Sequence, residues 1–157
     1  MQIYLLRHGE ALQRGFDDTS RPLSDRGEEE IRRAAKMLVE QKASINAILT
    51  SPLLRAQQTA AIMNQTLMSK ELITTEYLVP VTDQRQIIDE LNRRSLPAVL
   101  LVGHEPHLSG LVSLLISGSR ASNIEMGKGS LALIESPIPI KPGSGTLRWL
   151  LSSECMM

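Results

Sequence analysis

Cysteine is scarce in this sequence, neither sign of charge is in excess, and long apolar runs are missing. The single cysteine, Cys155, lies among the last three residues, so a disulfide within the chain is impossible and a catalytic thiol is disfavoured. Seventeen basic residues balance seventeen acidic ones, which excludes the broad basic face that nucleic-acid binding requires. No apolar run suits a secretory signal or approaches the ~20 residues of a membrane span. We therefore expect a cytoplasmic protein with neither nucleic-acid nor membrane partners.

The histidines are too dispersed along the chain to predict a metal site. His104 and His107 have a three-residue spacing, but the sequence offers no obvious third and fourth ligand for them. We therefore expect no metal ion and no other cofactor. His107 is interpreted instead as an exposed residue in the first turn of a helix.

Patterns typical of helices and strands alternate along the 157 residues, which fit one domain spanning residues 1–157. This alternation predicts an α/β fold with three layers, α/β/α, and a mainly parallel central sheet. Helices are predicted from near Asp25, with Ser24 as the N-cap, and over residues 53–67, 83–94 and 106–116. The first helix has an apolar stripe made of Ile31, Ala34, Ala35, Leu38 and Val39. Strands are predicted over residues 3–6, 46–50 and 98–102, a terminal hairpin over 130–135 and 146–151, and an irregular extended segment over 72–81.

Cationic and reactive side chains follow three of the predicted strands. The first strand leads into Arg7 and His8, a later one leads into His104, and a third leads into the helix that carries Arg55. Open α/β sheets bind their ligands at the carboxyl ends of the strands. If the three strands are parallel neighbours, these four side chains converge at one edge of the sheet.

These residue types suit the transfer of a phosphoryl group. Arg7 and Arg55 present forked donors that match the oxygens of the moving PO3 group. A neutral His8 can attack phosphorus through one ring nitrogen while a backbone carbonyl holds the other and fixes the tautomer, a geometry that Gly9 can help to supply. Neighbouring arginines disfavour protonation of His8. His104 can donate to a phosphoryl oxygen, and Gly9 lets the backbone turn and brings main-chain N–H groups near the anion. The pattern predicts a phosphate site that needs no metal.

Three segments carry a resemblance to a known family. Residues 6–11, 51–59 and 102–106 resemble, in this order, the signatures of the histidine phosphatase superfamily, which includes the phosphoglycerate mutases. The short chain and residues 21–27 are most similar to the small phosphohistidine phosphatases of the SixA type. The resemblance extends from residue 2 to about residue 152. It implies a phosphoglycerate mutase-like fold.

The resemblance also implies roles for individual residues. The matching positions of the family carry the phosphate-binding and catalytic roles described above for Arg7, His8, Arg55 and His104. Arg21 has two interpretations: a surface residue in a proline-containing turn, or, as in the small SixA-like members, an arginine that lines the phosphate pocket.

The sequence leaves the identity of a general acid open. An alkyl phosphate needs a carboxylic acid beside its leaving oxygen, whereas a phosphorylated imidazole leaves more readily. Glu105 follows His104 directly, where some branches of the superfamily carry their acid, but glutamate is also favoured in a first helical turn. Glu76 and Asp83 are weaker alternatives, and Glu10 is interpreted as part of a local hydrogen-bond network.

The leading hypothesis is a metal-independent phosphatase that removes phosphate from a histidine phosphotransfer protein through a phospho-His8 intermediate. Short segments between the motifs predict an open pocket, which suits a phosphorylated protein side chain. The alternative enzyme is a phosphatase for small phosphomonoesters that uses Glu105 or Glu76 as general acid. A third hypothesis is a phospho-binding adaptor without turnover. The neutral net charge and the lack of an obvious extra apolar face favour a monomer.

Overall fold

The computed structural model describes residues 1–156 and contains six strands and four helices within them. The strands are β1 (Gln2–Arg7), β2 (Ala47–Thr50), β3 (Glu71–Thr74), β4 (Ala98–Gly103), β5 (Leu131–Glu135) and β6 (Thr146–Leu151). The helices are α1 (Asp25–Glu40), α2 (Leu54–Leu67), α3 (Gln84–Arg94) and α4 (His107–Ser117). Three 3-10 turns lie at Asp18–Ser20, Glu76–Leu78 and Ser153–Cys155.

All six strands form one sheet in the order β3-β2-β4-β1-β5-β6. The first four strands of the chain pair in parallel, while β5 pairs antiparallel with β1 and β6 pairs antiparallel with β5. This arrangement confirms the predicted mainly parallel sheet and the terminal hairpin. Because β2, β4 and β1 are adjacent and parallel, their carboxyl ends meet at one edge of the sheet.

Apolar side chains cover both faces of the sheet, as expected for strands buried between two layers of helices. Along β1, Ile3 and Leu5 join a core with residues of α3 and α4, whereas Tyr4 and Leu6 join a second core with residues of α1 and α2. Alternate residues of a strand point to opposite faces, which is why one strand contributes to both cores. The predicted three-layer α/β/α architecture is confirmed. No helix within the described residues is long and apolar enough to cross a membrane.

The start of α1 is fixed by a capping side chain and by two glycines. Ser24 Oγ accepts a hydrogen bond from the Gly27 amide, so the predicted N-cap is confirmed. A Cβ atom on Gly9 would lie 2.5 Å from the Gly27 carbonyl oxygen, and a Cβ atom on Gly27 would overlap the Glu10 carbonyl oxygen. The loop after β1 therefore packs backbone to backbone on the first turn of α1.

Four predictions are wrong in detail. The segment over residues 72–81 is not wholly irregular, because it contains the end of edge strand β3 and a 3-10 turn. Val39 lies outside the buried stripe of α1, with 49% of its surface exposed. His107 is fully buried instead of exposed, because α3 packs over the start of α4 and the Gln84 side chain donates to the His107 carbonyl. Glu105 precedes α4 and does not lie in its first turn.

Candidate functional site

A cavity of about 270 Å³ opens where the strand ends meet. It is lined by Arg7, His8, Ala11, Gln13, Arg21, Arg55, Pro80, His104, Glu105 and Lys128. The structure thus brings together six residues that the sequence singled out for catalysis or phosphate binding. Glu76 and Gly9, two further candidates, are not among the lining residues.

His8 is held in one tautomer by its neighbours. It lies just after β1, is 5% exposed, and its Nδ1 is 2.7 Å from the Gly9 carbonyl oxygen. A carbonyl oxygen only accepts hydrogen bonds, so Nδ1 carries the proton. Arg55 Nε donates to His8 Nε2 over 3.2 Å, which leaves Nε2 as the basic nitrogen. His8 therefore presents an unprotonated nitrogen to the cavity.

The surroundings of His8 also keep the ring neutral. Burial lowers its pKa from 6.5 to about 4, against the hydrogen bond to Gly9, and the charges of Arg55, Arg7 and Arg21 lower it further. A neutral imidazole retains the lone pair that a nucleophile needs. The ring is therefore unprotonated at neutral pH without the help of a separate base.

His104 faces His8 across the same cavity. The two ring centroids are 5.0 Å apart, and His104 is 2% exposed. Burial lowers the pKa of His104 to about 3, and the neighbouring side chains of His8 and Arg55 act in the same direction. Its Nε2 lies 2.7 Å from Ser51 Oγ, while its buried Nδ1 has no hydrogen-bond partner within the described residues. Nδ1 is the ring atom left to contact a ligand.

Three arginines give the cavity its positive charge. Arg7 donates through Nη1 to the Met126 carbonyl oxygen over 3.0 Å, and Arg55 donates through Nη1 to the Asp18 carbonyl oxygen over 2.7 Å. The Nε groups of Arg7 and Arg21 are buried and form no hydrogen bond within residues 1–156. A buried N–H group without a partner is costly, and an oxyanion would satisfy both. The lining therefore suits a tetrahedral oxyanion.

Gly9 meets one of its two expected roles, because its carbonyl holds His8 Nδ1 while its amide does not face an anion. Its amide donates to Thr59 Oγ1 over 3.3 Å, and Thr59 Oγ1 in turn donates to the Arg55 carbonyl oxygen. The amide is thus occupied by the protein and is not directed at an anion. Gly9 contributes to the site by accepting the hydrogen bond from His8 Nδ1 and by its close approach to Gly27.

The carboxylates proposed as general acids lie in different surroundings. Glu105 lines the cavity, but its Oε1 accepts a hydrogen bond from the Ser109 amide over 2.9 Å. Asp83 caps α3 through the Arg85 amide. Glu10, interpreted above as part of a local hydrogen-bond network and not as an acid, accepts a hydrogen bond from Ser24 Oγ over 2.7 Å. Of these carboxylates, only Glu105 lies close enough to the cavity to meet a leaving group.

Several residues of the site escaped sequence reasoning. Ser51 contacts His104, Asp18 contacts Arg55, and Lys128 reaches the cavity from the loop before β5. Ser51 had a weak signal, because it directly follows a predicted strand, as His8 does. Asp18 begins a short 3-10 turn and Lys128 lies in a loop, and neither has a sequence pattern that would have placed it at the site.

His107 lies outside the cavity, and neither of its ring nitrogens has a hydrogen-bond partner within residues 1–156. Burial lowers the pKa of His107 to about 4, so the side chain is neutral at neutral pH. In the part of the chain that the structure describes, no group of three or more His, Cys, Asp or Glu side chains is placed to hold a metal ion.

A larger cavity of about 520 Å³ lies on the other side of Arg7 and Lys128. Its acidic lining residues are Glu10, Glu30, Glu125 and Glu154. These four carboxylates outnumber the three cationic side chains of the lining, those of Arg7, Arg26 and Lys128, and neither His8 nor His104 is among the lining residues. The smaller cavity is therefore the candidate active site.

The chain is similar in sequence to proteins of a known family. Residues 3–79 match the sequence model of the histidine phosphatase superfamily (branch 1). Over 159 aligned residues the chain is 31% identical to phosphohistidine phosphatase SixA of Escherichia coli strain K12, which covers 97% of this chain and 94% of the relative.

Solved structures show the same fold. A structure of the protein histidine phosphatase SixA complexed with tungstate superimposes with a TM-score of 0.90 at 28% identity and covers 99% of both chains. The alpha-ribazole phosphatase from Shigella flexneri superimposes with a TM-score of 0.76 at 21% identity, covering 98% of this chain and 97% of that one. The second likeness bears on the fold alone.

Proposed function

Because this chain belongs to the histidine phosphatase superfamily, we propose that it hydrolyses phosphohistidine on a partner protein, with His8 as the nucleophile. The observation that carries the proposal is the unprotonated His8 Nε2, held beside three arginines and a second neutral imidazole in one cavity. The similarity to a phosphohistidine phosphatase over almost the whole chain supports the choice of substrate.

The arginines would bind the phosphoryl group before reaction. Arg7 would donate through an Nε group that has no hydrogen-bond partner within residues 1–156, and Arg21 through an Nε group whose one carboxylate neighbour, Asp18 Oδ1, is 3.5 Å away. Arg55 would donate beside the attacking nitrogen. The transferring phosphoryl group carries negative charge on its three equatorial oxygens, so catalysis depends on positioning and on fixed positive charge. These guanidiniums supply both.

The reaction would proceed in two transfers. In the first, His8 Nε2 forms a bond to phosphorus while the P–N bond of the substrate breaks, and the departing imidazole takes up a proton. In the second, water attacks the phosphorus of phospho-His8, the P–Nε2 bond breaks, and the water oxygen leaves as part of orthophosphate while its proton passes to solvent, balancing the proton that the departing imidazole took up. The hydrogen bond from Nδ1 to the Gly9 carbonyl would hold the ring in place through both steps.

His104 would stabilise the transferring group from the opposite side. If the Ser51 hydroxyl donates to His104 Nε2, the proton of the neutral ring is on Nδ1, the nitrogen without a protein partner. Nδ1–H can then donate to a phosphoryl oxygen. Ser51 would act as a positioning residue, because it sets the tautomer of the catalytic imidazole.

The mouth of the cavity favours a protein substrate over a small ester. Leu12 and Val81 directly adjoin lining residues and are 45% and 94% exposed, and Phe16, two residues before Asp18, is 46% exposed. Exposed apolar side chains on the segments that line a charged pocket are typical of protein contact sites, whereas a small phosphate ester gains little from them. We infer that these three side chains contact the phosphoprotein, for which a histidine phosphotransfer protein is the leading candidate.

This inference predicts a separation of protein and small-molecule activities. In the variant Leu12→Ser/Phe16→Ser/Val81→Ser, KM for a phosphohistidine protein should rise at least about tenfold, because contacts at the centre of an interface carry most of its affinity. Turnover of free phosphohistidine should stay within about twofold, because the cavity is unchanged. The control is Met68→Ser, which removes an exposed apolar side chain at the end of α2. Equal losses on both substrates would contradict the proposed contact surface.

One observation keeps the alternative of small phosphomonoesters open for test: Glu105 lines the cavity. If Glu105 serves as general acid, Glu105→Gln should abolish hydrolysis of an alkyl phosphate and leave phosphohistidine hydrolysis nearly intact. Glu76 has no comparable position. The adaptor hypothesis predicts a stable complex with the phosphoprotein and no released phosphate.

Three further parts of the proposal remain predictions. Activity should survive a chelator such as EDTA, since no step above uses a metal. We also expect a monomer, to be checked by sedimentation, and a cytoplasmic location, to be checked by cell fractionation.

A further inference from the structure

The loop between β1 and α1 places one carboxylate against two of the arginines in the cavity. Asp18 Oδ1 lies 3.5 Å from Arg21 Nε and 3.6 Å from Arg55 Nη2. Within residues 1–156, no other carboxylate forms an ion pair with Arg7, Arg21 or Arg55. Asp18 is therefore the acidic group best placed to act on an anion bound by these arginines.

The Asp18 carboxylate is not needed to hold Arg55 in position. The main-chain carbonyl of Asp18 already accepts a hydrogen bond from Arg55 Nη1 over 2.7 Å, and Arg55 Nε donates to His8. The carboxylate is 70% exposed, and both of its contacts with the guanidiniums are longer than a normal hydrogen bond. Its main effect on the site is thus the effect of its charge.

That charge opposes the binding of phosphate. A second anion on Arg21 and Arg55 would share their positive charge with Asp18 and be repelled by it over a few ångströms. A phosphoryl group attached to a protein has further contacts to offset this repulsion, but free orthophosphate has only the cavity.

We propose that Asp18 determines specificity by weakening the affinity of the cavity for free orthophosphate. The consequence for turnover rests on the proposed function, in which orthophosphate is the product: Asp18 speeds its release and limits occupation of the site by phosphate in solution. A carboxylate at this position therefore favours attached phosphoryl groups over the free ion.

The test compares Asp18→Asn with Asp17→Asn. Asp18→Asn keeps the size of the side chain and the main-chain carbonyl but removes the charge. Asp17→Asn removes the same charge one residue away, where the side chain forms no cap hydrogen bond and no ion pair. The dissociation constants of inorganic phosphate and of tungstate are measured by calorimetry for the wild-type chain and both variants, at low and high salt, alongside thermal unfolding.

We expect Asp18→Asn to bind phosphate about fivefold more tightly than the wild-type chain. Asp17→Asn should change the dissociation constant of phosphate by less than about twofold. The difference should shrink at high salt, a response that a purely structural role would not produce. With substrate, product inhibition should strengthen and KM should fall without a rise in kcat. Unchanged or weaker phosphate binding in folded Asp18→Asn would overturn the proposal.

Failure of this proposal can be told apart from failure of the proposed function. Phosphate binding requires no turnover. Tighter binding in Asp18→Asn together with no hydrolysis of phosphohistidine by the wild-type chain would reject the function and retain the role of Asp18. Hydrolysis of phosphohistidine by the wild-type chain together with an unchanged phosphate affinity in Asp18→Asn would retain the proposed function and reject the role of Asp18.

Discussion

At the scale of single residues, the candidate site depends on which nitrogen of each imidazole carries the proton. The Gly9 carbonyl and Arg55 decide this for His8, and Ser51 is the only protein partner found for the ring of His104 within residues 1–156. Reactive residues at strand ends could be predicted because parallel strands bring their carboxyl ends together. Their hydrogen-bond partners could not, because residues such as Ser51 are brought to His104 only by the tertiary fold.

The assignment of Ser51 as a positioning residue predicts a loss of activity in Ser51→Ala. Without the hydroxyl, both tautomers of His104 become available, so kcat should fall about tenfold while KM for phosphohistidine changes little. Ser113→Ala is the control, because it removes another fully buried hydroxyl, on α4, away from the cavity. Steady-state kinetics on both variants measure the effect. A full-activity Ser51→Ala enzyme would show that His104 does not need this contact.

At the scale of elements, hydrophobic spacing predicted most of the helices and strands, because each buried element has one or two apolar faces. The short edge strand β3 was missed because it is largely exposed and shows little apolar alternation. His107 was misplaced because the first turn of α4 is covered by α3, and a local pattern does not reveal which helix covers another.

The contact between α1 and the loop after β1 predicts that replacing either of two helical glycines by alanine lowers the stability by different amounts. Gly27→Ala should lower the free energy of unfolding by about 2–3 kcal/mol, because the added Cβ would overlap the Glu10 backbone. In Gly110→Ala the added Cβ meets only the amide end of the Gln84 side chain, at 2.6 Å. That side chain can move, so the cost should be smaller. Urea unfolding of both variants tests this, and equal costs would contradict the proposed packing.

At the scale of the whole molecule, three histidines are buried in neutral form. Burial lowers the pKa of His8 and His107 to about 4 and that of His104 to about 3. In the unfolded chain each histidine would have a pKa near 6.5. At a pH between the folded and unfolded pKa values, the unfolded state therefore binds more protons than the folded state. Stability from this source is complete above about pH 6.5 and is lost as the pH falls towards about 4.

We therefore expect the free energy of unfolding to decrease steeply below about pH 6.5, with an uptake approaching about three protons on unfolding near pH 5. His107→Leu should reduce this uptake by about one proton without changing the two catalytic imidazoles. Chemical denaturation between pH 4 and 8 provides the measurement. A flat profile across that window in the wild-type chain would mean that the histidines are not buried in neutral form.

The central claim is that His8 becomes phosphorylated during turnover, and trapping that intermediate tests it most directly. The enzyme is mixed with a phosphohistidine protein, quenched under alkaline conditions within milliseconds, and digested for mass spectrometry, with His8→Ala as the control. The account predicts one phosphoryl group on His8, labile to acid, that appears before orthophosphate and is absent from the variant. If His8→Ala released orthophosphate as fast as the wild-type chain does, the account would be contradicted.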